Sequence, residues 1–370
     1  MILSSIRLKN FRIHRYLELN FSENLNYIVG GNGEGKTSIL ESIYYLCTTK
    51  SYNAKSDSEV VSFKEKEFEI DGLFRDLTED KIRIFYSLEE NKKNYFQNDK
   101  IVSRSSEVIG RFPVVILAPA DHSITQGSPS ERRKFVDSVI SQASETYLKN
   151  LLDYTRTLRQ RSSLLTKIRE SRSSHLFSEL NAWTERLIQS GTELIDHRVK
   201  FIKEFNEYIR YSYKIIMGNE EIPGISYSFL DGYDGKEIKD RFTMLILERE
   251  DDELRRASNL VGPHRDDYLF EINNINLRTY GSQGQHKTFQ VVLRFAEFFY
   301  LKEITGKTPL FLLDDVFGEL DTDRAVKISE YLREVGQAFI TLTDFSNLSF
   351  LKIKDEDLVF KFKDGVIANA

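Results

Sequence analysis

Residues 30–37 read GGNGEGKT and lie between the apolar stretch LNYIV and the helically spaced TSILESIYYL. No other feature constrains the fold as much. The pattern G-x-x-x-x-G-K-[ST] between a strand and a helix marks a phosphate-binding loop. Such a loop turns backbone N–H groups toward phosphate oxygens and adds the field of a helix N-terminus. The expected nucleotide contacts are Gly30, Gly31, Asn32, Gly33, Glu34, Gly35, Lys36, Thr37 and Ser38. Lys36 is placed to reach the β- and γ-phosphates, and the Thr37 hydroxyl to bind Mg²⁺. The bland alternative is a glycine turn carrying a solvent lysine.

An acidic partner follows far downstream, in PLFLLDD (309–315). Four apolar residues read as a buried strand, and Asp314 emerges at its C-terminal end, where open α/β sheets bind ligands. Asp314 is expected to hold Mg²⁺ and Asp315 to orient or deprotonate the attacking water. Alone, such a pair would serve equally well as a turn or helix cap.

A third segment, YGSQGQHKTFQ (280–290), puts small and hydrogen-bonding residues just where a long apolar helix begins. Ser282 and the Gly284 N–H can form a second anion-binding edge. Because the phosphate loop already serves this chain's nucleotide, the edge would take another ligand or a neighbour's nucleotide. The latter implies a two-fold dimer sandwiching two ATPs. Asp321, in GELD, could cross the same interface. A simple helix cap at Ser282 remains the alternative.

The strand–helix alternation at both ends, with a helical insertion between, predicts an α/β fold built from two distant chain segments. Its parts are residues 1–128, with the phosphate loop and a smaller antiparallel sheet; an insertion at 129–236; and residues 237–370, with the acidic strand. ILSSIRLKNFRIH, YLELNFS, FEIDGLF, KIRIFYSL and KNYFQ read as strands, and PVVILA as a buried central one. In the insertion, apolar residues at 3–4 spacing on either side of SRSS (171–174) predict two helices of roughly 35 residues in an antiparallel hairpin; several shorter helices are the alternative. RFTMLILEREDDELRRA reads as one helix, and YLFEI and NLRTY as paired strands.

The net charge of −5 argues against nucleic acid, but its distribution does not. Residues 131–214 hold 16 Lys and Arg against 11 Asp and Glu, so this segment carries +5 and the rest −10. Over 147–175, Lys149, Arg156, Arg159, Arg161, Lys167, Arg169 and Arg172 face only Asp153 and Glu170. Arg156, Arg159, Lys167 and Arg169 are the candidate contacts to a phosphate backbone. A solvated helix surface is the competing explanation, and Lys9, Arg12 and Arg15 are the next candidates. Cys47 is the sole cysteine, and Arg7 and Lys9 interrupt the N-terminal apolar run, so a cytoplasmic protein is expected.

The VGPHRDD stretch (261–267) reads as a surface ion network or as a coupling between helical arm and nucleotide domain.

GGNGEGKT, GSQGQ and LFLLDDVFGELD, in this order, resemble the heads of the ABC-type ATPases of DNA maintenance, the SMC-like group. LKNFRIH, SPSERRKFVD, VGPHRDD and YGSQGQHKT narrow the resemblance to the RecF family of bacterial DNA repair and recombination proteins. The resemblance implies an ATP-dependent homodimer on double-stranded DNA and single-strand/double-strand junctions, with weak ATPase activity. It also implies RecR- and RecO-like partners in loading recombinase. By the same analogy Ser282, Gln283, Gly284 and Gln285 are the signature acting in trans, and Asp321 belongs to the interfacial D-loop. Asp315 stands where many relatives carry a glutamate, which agrees with slow hydrolysis; a clamp with negligible turnover is the alternative. Gly318 and His286 depart from the family's serine and glutamine. Gln97, Gln126 and the PAD at 119–121 compete for the place of the glutamine loop.

Overall fold

The computed structural model describes residues 1–171, 173–218, 221–233, 235, 237–319, 322–344, 353–363 and 366–368. Two compact units divide the chain: residues 1–121, 211–219 and 287–370 form the first, and 122–210 with 220–286 the second.

The first unit holds two six-stranded sheets. One is antiparallel and includes Ile2–Phe11, His14–Asn20, Glu67–Arg75, Glu79–Ser87 and Lys92–Gln97, the five strands that period-2 alternation predicts. The other is mixed. Its parallel strands run in the order Leu358–Lys363, Leu25–Gly30, Ala338–Leu342, Leu310–Leu313, Val114–Leu117, with Val366–Ala368 antiparallel at the outer edge. Ala338–Leu342, Leu310–Leu313 and Val114–Leu117 are buried throughout, as parallel strands covered on both faces must be. Val114–Leu117 is not central as expected but closes one edge of the sheet. Its burial comes from the core it shares with the antiparallel sheet, where Phe112 stacks on Phe74 at 4.2 Å. Gln337 reinforces this unit: its amide accepts from Leu3 N and donates to Leu3 O and Ser22 O.

In the second unit the insertion forms helices Pro129–Ala143, Glu145–Ser171 and Ser174–Met217, the last running into the first unit at residue 211. The first of the two expected helices is therefore broken. Ser144 is extended (φ −143°, ψ 110°); its N–H closes the earlier helix on Ile140 O, and its hydroxyl accepts from Tyr147 N to start the next. The hairpin itself is present: Arg161 reaches Thr184 and Arg198 reaches Tyr147 across antiparallel helices. Leu164, Leu165, Ile168 and Leu180 form a small core at its tip.

Two further expectations are corrected. RFTMLILEREDDELRRA is two helices, Ile238–Glu248 and Glu250–Arg256, separated at Arg249. YLFEI lies in a strand, Asp267–Ile272, whose hairpin partner is only Ile275–Asn276. Residues Leu277–Tyr280 turn helical instead, because the Asn276 side chain accepts from Thr279 N and caps that turn. Among the described residues no helix is long and apolar enough to cross a membrane.

Candidate nucleotide site

The phosphate loop leaves the C-terminal end of Leu25–Gly30, and its last two residues open the helix Lys36–Thr48. Gly33 is left-handed (φ +85°), and apart from its chain neighbours no described residue comes within 4 Å of where a Cβ would stand, so the loop is open there. Gly35 is also left-handed (φ +83°), and a Cβ would meet His14 Nε2 at 2.5 Å. His14 holds that turn by donating from Nε2 to Gly35 O at 3.1 Å. Lys36 is buried and donates to Gly30 O at 2.6 Å and Gly31 O at 2.8 Å. Burial lowers its pKa, while Asp315 and Asp314 oppose that shift.

Asp314 stands one residue beyond Leu310–Leu313 and is buried. Thr37 Oγ1 donates to its Oδ1 at 2.9 Å, so the loop and the acidic strand end meet as the sequence predicts. Two more hydroxyls converge on this carboxylate: Thr341 Oγ1 on Oδ1 at 2.9 Å and Tyr52 OH on Oδ2 at 3.2 Å. Asp315 has a left-handed backbone (φ +51°), and its N–H donates to Thr341 Oγ1 at 2.8 Å. Such a conformation in a non-glycine residue persists only where its surroundings fix it. Sequence reasoning missed Thr341 and Tyr52. Thr341 had a weak signal, as a polar residue inside the buried strand AFITL. Tyr52, in the irregular stretch after the loop helix, had none.

The donor set suits Mg²⁺ bound with phosphates. Among the described residues no group of three or more His, Cys, Asp and Glu side chains could hold a metal ion, whereas Thr37 and Asp314 could supply two oxygens and leave the rest to nucleotide and water.

Arg12, a reserve DNA candidate, is committed elsewhere. It forms a bidentate pair with buried Glu41 at 2.7 and 2.8 Å. Lys9 pairs with Glu67 at 3.4 Å, and Arg15 is exposed. Gln97 lies in the antiparallel sheet and donates to Asp80, and Gln126 is exposed at the end of a short helix. Asp121 of PAD is buried in a bidentate pair with Arg294 at 2.6 and 2.9 Å. Glu297 shares that guanidinium, and burial raises its pKa to about 7.

In the second unit, Ser282 precedes the helix Gln283–Thr305 as a reciprocal capping box. Ser282 N donates to Gln285 Oε1 at 2.9 Å and Gln285 N to Ser282 Oγ at 3.2 Å. Ser282 and Gln283 are exposed, while His286 is buried, its Nδ1 without a partner among the described residues. Asp321 lies outside the described residues; Gly318 is exposed in the short helix Phe317–Glu319.

Arg156, Arg159, Lys167 and Arg169 are exposed on Glu145–Ser171, and none enters an ion pair among the described residues. At 3.6 residues per turn the first three share a side, and Arg169 lies round the helix from them. Arg161 is no part of that surface: it is buried against Glu253 at 2.6 Å and Asn259 at 2.6 Å. Lys149 pairs with Glu145, and Arg172 lies outside the described residues. Of the polar residues in VGPHRDD, Asp266 is buried, His264 and Asp267 are half-buried, and Arg265 is exposed. Arg198 bridges Asp137 and Asp266 and donates to Pro263 O, while Arg132 pairs with Asp267.

Residues 2–361 match the RecF/RecN/SMC N-terminal domain family. The DNA replication and repair protein RecF of Chloroherpeton thalassium is 39% identical over 365 residues, spanning 95% of this chain and 97% of its own length. That of Salinibacter ruber is 36% identical over 351 residues, spanning 93% and 85%. The structure of the recombination mediator protein RecF with ATP in the RecFOR pathway is similar at a TM-score of 0.90 and 33% identity, over 99% of this chain and 96% of that one. An Smc head domain from Pyrococcus furiosus shares the fold, with a TM-score of 0.56 at 15% identity over 98% and 94%. The chain belongs to the RecF family, within the SMC-like, ABC-type ATPases.

Proposed function

We propose that this chain is an ATP-dependent DNA-binding switch. It dimerises around two ATPs on duplex or gapped DNA, hydrolyses ATP slowly, and helps RecO- and RecR-like partners load recombinase in repair and at replication forks. The observation that carries this reading is the 2.9 Å bond between Thr37 and Asp314, which joins the phosphate loop to the acidic strand end across 277 residues of sequence. The similar protein solved with ATP in the RecFOR pathway supports it.

Mg²⁺ bound with the nucleotide would supply charge neutralisation at the β- and γ-phosphate oxygens. Thr37 and Asp314 are the residues to hold it. Lys36 exchanges its carbonyl partners, Gly30 and Gly31, for phosphate oxygens; each is a ready-made acceptor that keeps the ammonium aimed into the loop. Asp315 orients the attacking water from a backbone fixed by Thr341. Ser282 and Gly284 contact the neighbour's nucleotide in the dimer, and Asp321 lies at that interface. Duplex phosphates are met on the arm by Arg156, Arg159, Lys167 and Arg169.

A nucleotide-assembled clamp with negligible turnover is the second reading, favoured by the short reach of an aspartate at position 315. ATP turnover on gapped DNA, with and without RecO- and RecR-like proteins, separates the two. Lys36→Met should weaken ATP binding by about a hundredfold, on the scale of a buried charge-assisted contact, and abolish nucleotide-driven dimerisation. Unchanged affinity would contradict the site. Asp315→Asn should keep ATP bound and prolong the dimer. Ser282→Arg should spare binding to one subunit and block dimerisation, and a photocrosslinker at position 282 should label nucleotide held by the other chain. Labelling only within one chain would refute the shared site.

A further inference from the structure

We propose that Tyr52 is a positioning residue for the metal-binding carboxylate. Its hydroxyl, donated to Asp314 Oδ2, holds that side chain in the orientation that Mg²⁺ requires. The inference rests on the nucleotide-site reading above and adds a residue from outside its motifs.

A carboxylate offers about four lone-pair directions on two oxygens. On Asp314, Thr37 and Thr341 both take Oδ1, at 2.9 Å each. Without a third donor the group could still turn about its last bond. The bond from Tyr52 at 3.2 Å falls on the other oxygen and removes that freedom. One lone pair of Oδ2 remains open.

The segment that carries Tyr52 is itself braced. Ser51 Oγ donates to Glu41 and accepts from Asn53 N at 2.9 Å and Ala54 N at 2.7 Å. Glu41 is the buried partner of Arg12. The Tyr52 ring packs edge-on against Tyr44 at 5.4 Å. Residue 52 is thus fixed from the backbone, the helix and the ring before its hydroxyl reaches Asp314. A half-buried phenol such as Tyr52 usually finds some hydrogen-bond partner. What distinguishes this one is that the partner is the carboxylate already met by the loop threonine, and that all three donors are neutral. Neutral hydroxyls orient a carboxylate while leaving its charge for a cation. Outer partners of this kind set metal affinity by 10- to 100-fold in known sites.

Tyr52→Phe keeps the ring and removes only the hydroxyl. Binding of a fluorescent ATP analogue is to be titrated with Mg²⁺ on the full chain, and repeated in EDTA, together with a thermal melt. The expected result is a rise of about tenfold in the half-saturating Mg²⁺ concentration, with affinity in EDTA and the melt little changed. Equal Mg²⁺ dependence in variant and parent would overturn the proposal while leaving the site reading intact. An equal loss of affinity with and without Mg²⁺ would also overturn it, since that is the mark of a packing role. A parent that binds the analogue without any Mg²⁺ dependence would refute the site reading, and this proposal with it. Thr341→Val, which removes a donor from Oδ1, gives an independent second case and should shift the same Mg²⁺ midpoint.

Discussion

The chain contains two Asp–Asp pairs next to strands, Asp314–Asp315 in the first unit and Asp266–Asp267 in the second, and the fold treats them oppositely. Asp314 is met by three hydroxyls and enters no ion pair among the described residues. Asp266 and Asp267 are met by guanidinium groups, Arg198 at 3.3 Å on the first, beside the Tyr227 hydroxyl, and a bidentate Arg132 at 2.7 and 2.9 Å on the second. Neutral donors fix a carboxylate and leave its charge available, whereas arginines consume it. The first pair is the one proposed above to hold a cation, and the other is scaffold. The dipeptide alone carries no such information; its partners decide.

The largest expected effect tests that distinction directly. Arg198 is fully buried and serves both Asp137 and Asp266. Arg198→Met strands the buried Asp266 and the half-buried Asp137 and should destabilise the second unit by about 3–5 kcal/mol in denaturant unfolding. Asp314→Asn should cost no more than about 1 kcal/mol, because rotatable hydroxyls can re-pair with an amide. Similar losses for the two variants would erase the contrast between site and scaffold.

A somewhat smaller effect sharpens it through pH. Burial pushes Asp266 up to about 6, despite the guanidinium it shares with Asp137. Its folded form therefore holds more protons than the unfolded chain between about pH 4 and 6, and lowering pH through that window stabilises the fold. Burial pushes His264 down to about 4: its ring, neutral at pH 7, donates from Nε2 to Asn259 O and accepts at Nδ1 from Tyr154. Its contribution has the opposite sign, present above about pH 6.5 and lost as pH falls toward 4. Each is on the order of 3 kcal/mol, so the two nearly cancel in the parent. Melting followed from pH 7 to 4 should show His264→Gln gaining stability relative to the parent, and Asp266→Asn losing it. The same slope in both variants would show that these groups do not titrate as the burial implies.

Local chemistry explains what the sequence made readable. The phosphate loop, the acidic strand end and the cap at Ser282 depend on residues adjacent in the chain, and each appears where its pattern places it. The missed features depend on partners brought from afar. Arg161 interrupts the apolar spacing of its helix, which marks it as unusual, but the partners that set its environment, Glu253 and Asn259, lie 92 and 98 positions downstream. Tyr52 and Asp314 are 262 positions apart. Periodicity also failed at caps: one serine split a helix at 144, and one asparagine at 276 turned an expected strand into a helical turn. Both events cost a pattern-based reading an element while changing only one or two hydrogen bonds.

The smallest effect per residue is expected on the arm, where the contrast between used and unused charge recurs. Arg161 is consumed by Glu253, whereas Arg156, Arg159 and Lys167 are exposed on one side of the same helix without ion pairs among the described residues. The rest of the chain is acidic, so approach to a duplex depends on such a local field. Each phosphate that is no longer neutralised should flatten the logarithmic salt dependence of duplex binding by about 0.9. Replacing Arg156, Arg159, Lys167 and Arg169 with glutamine should weaken binding to unrelated duplexes alike, since bonds to phosphate carry no sequence information. Because Arg169 lies round the helix from the other three, the triple variant that spares it should retain most of the effect. ATP binding should be untouched. Anisotropy titrations at several salt concentrations measure both affinity and slope. Parent-like values in the quadruple variant would remove the arm as the duplex surface. Of the N-terminal candidates, Arg15 would then be the first to test, because Arg12 is held by Glu41 and Lys9 by Glu67.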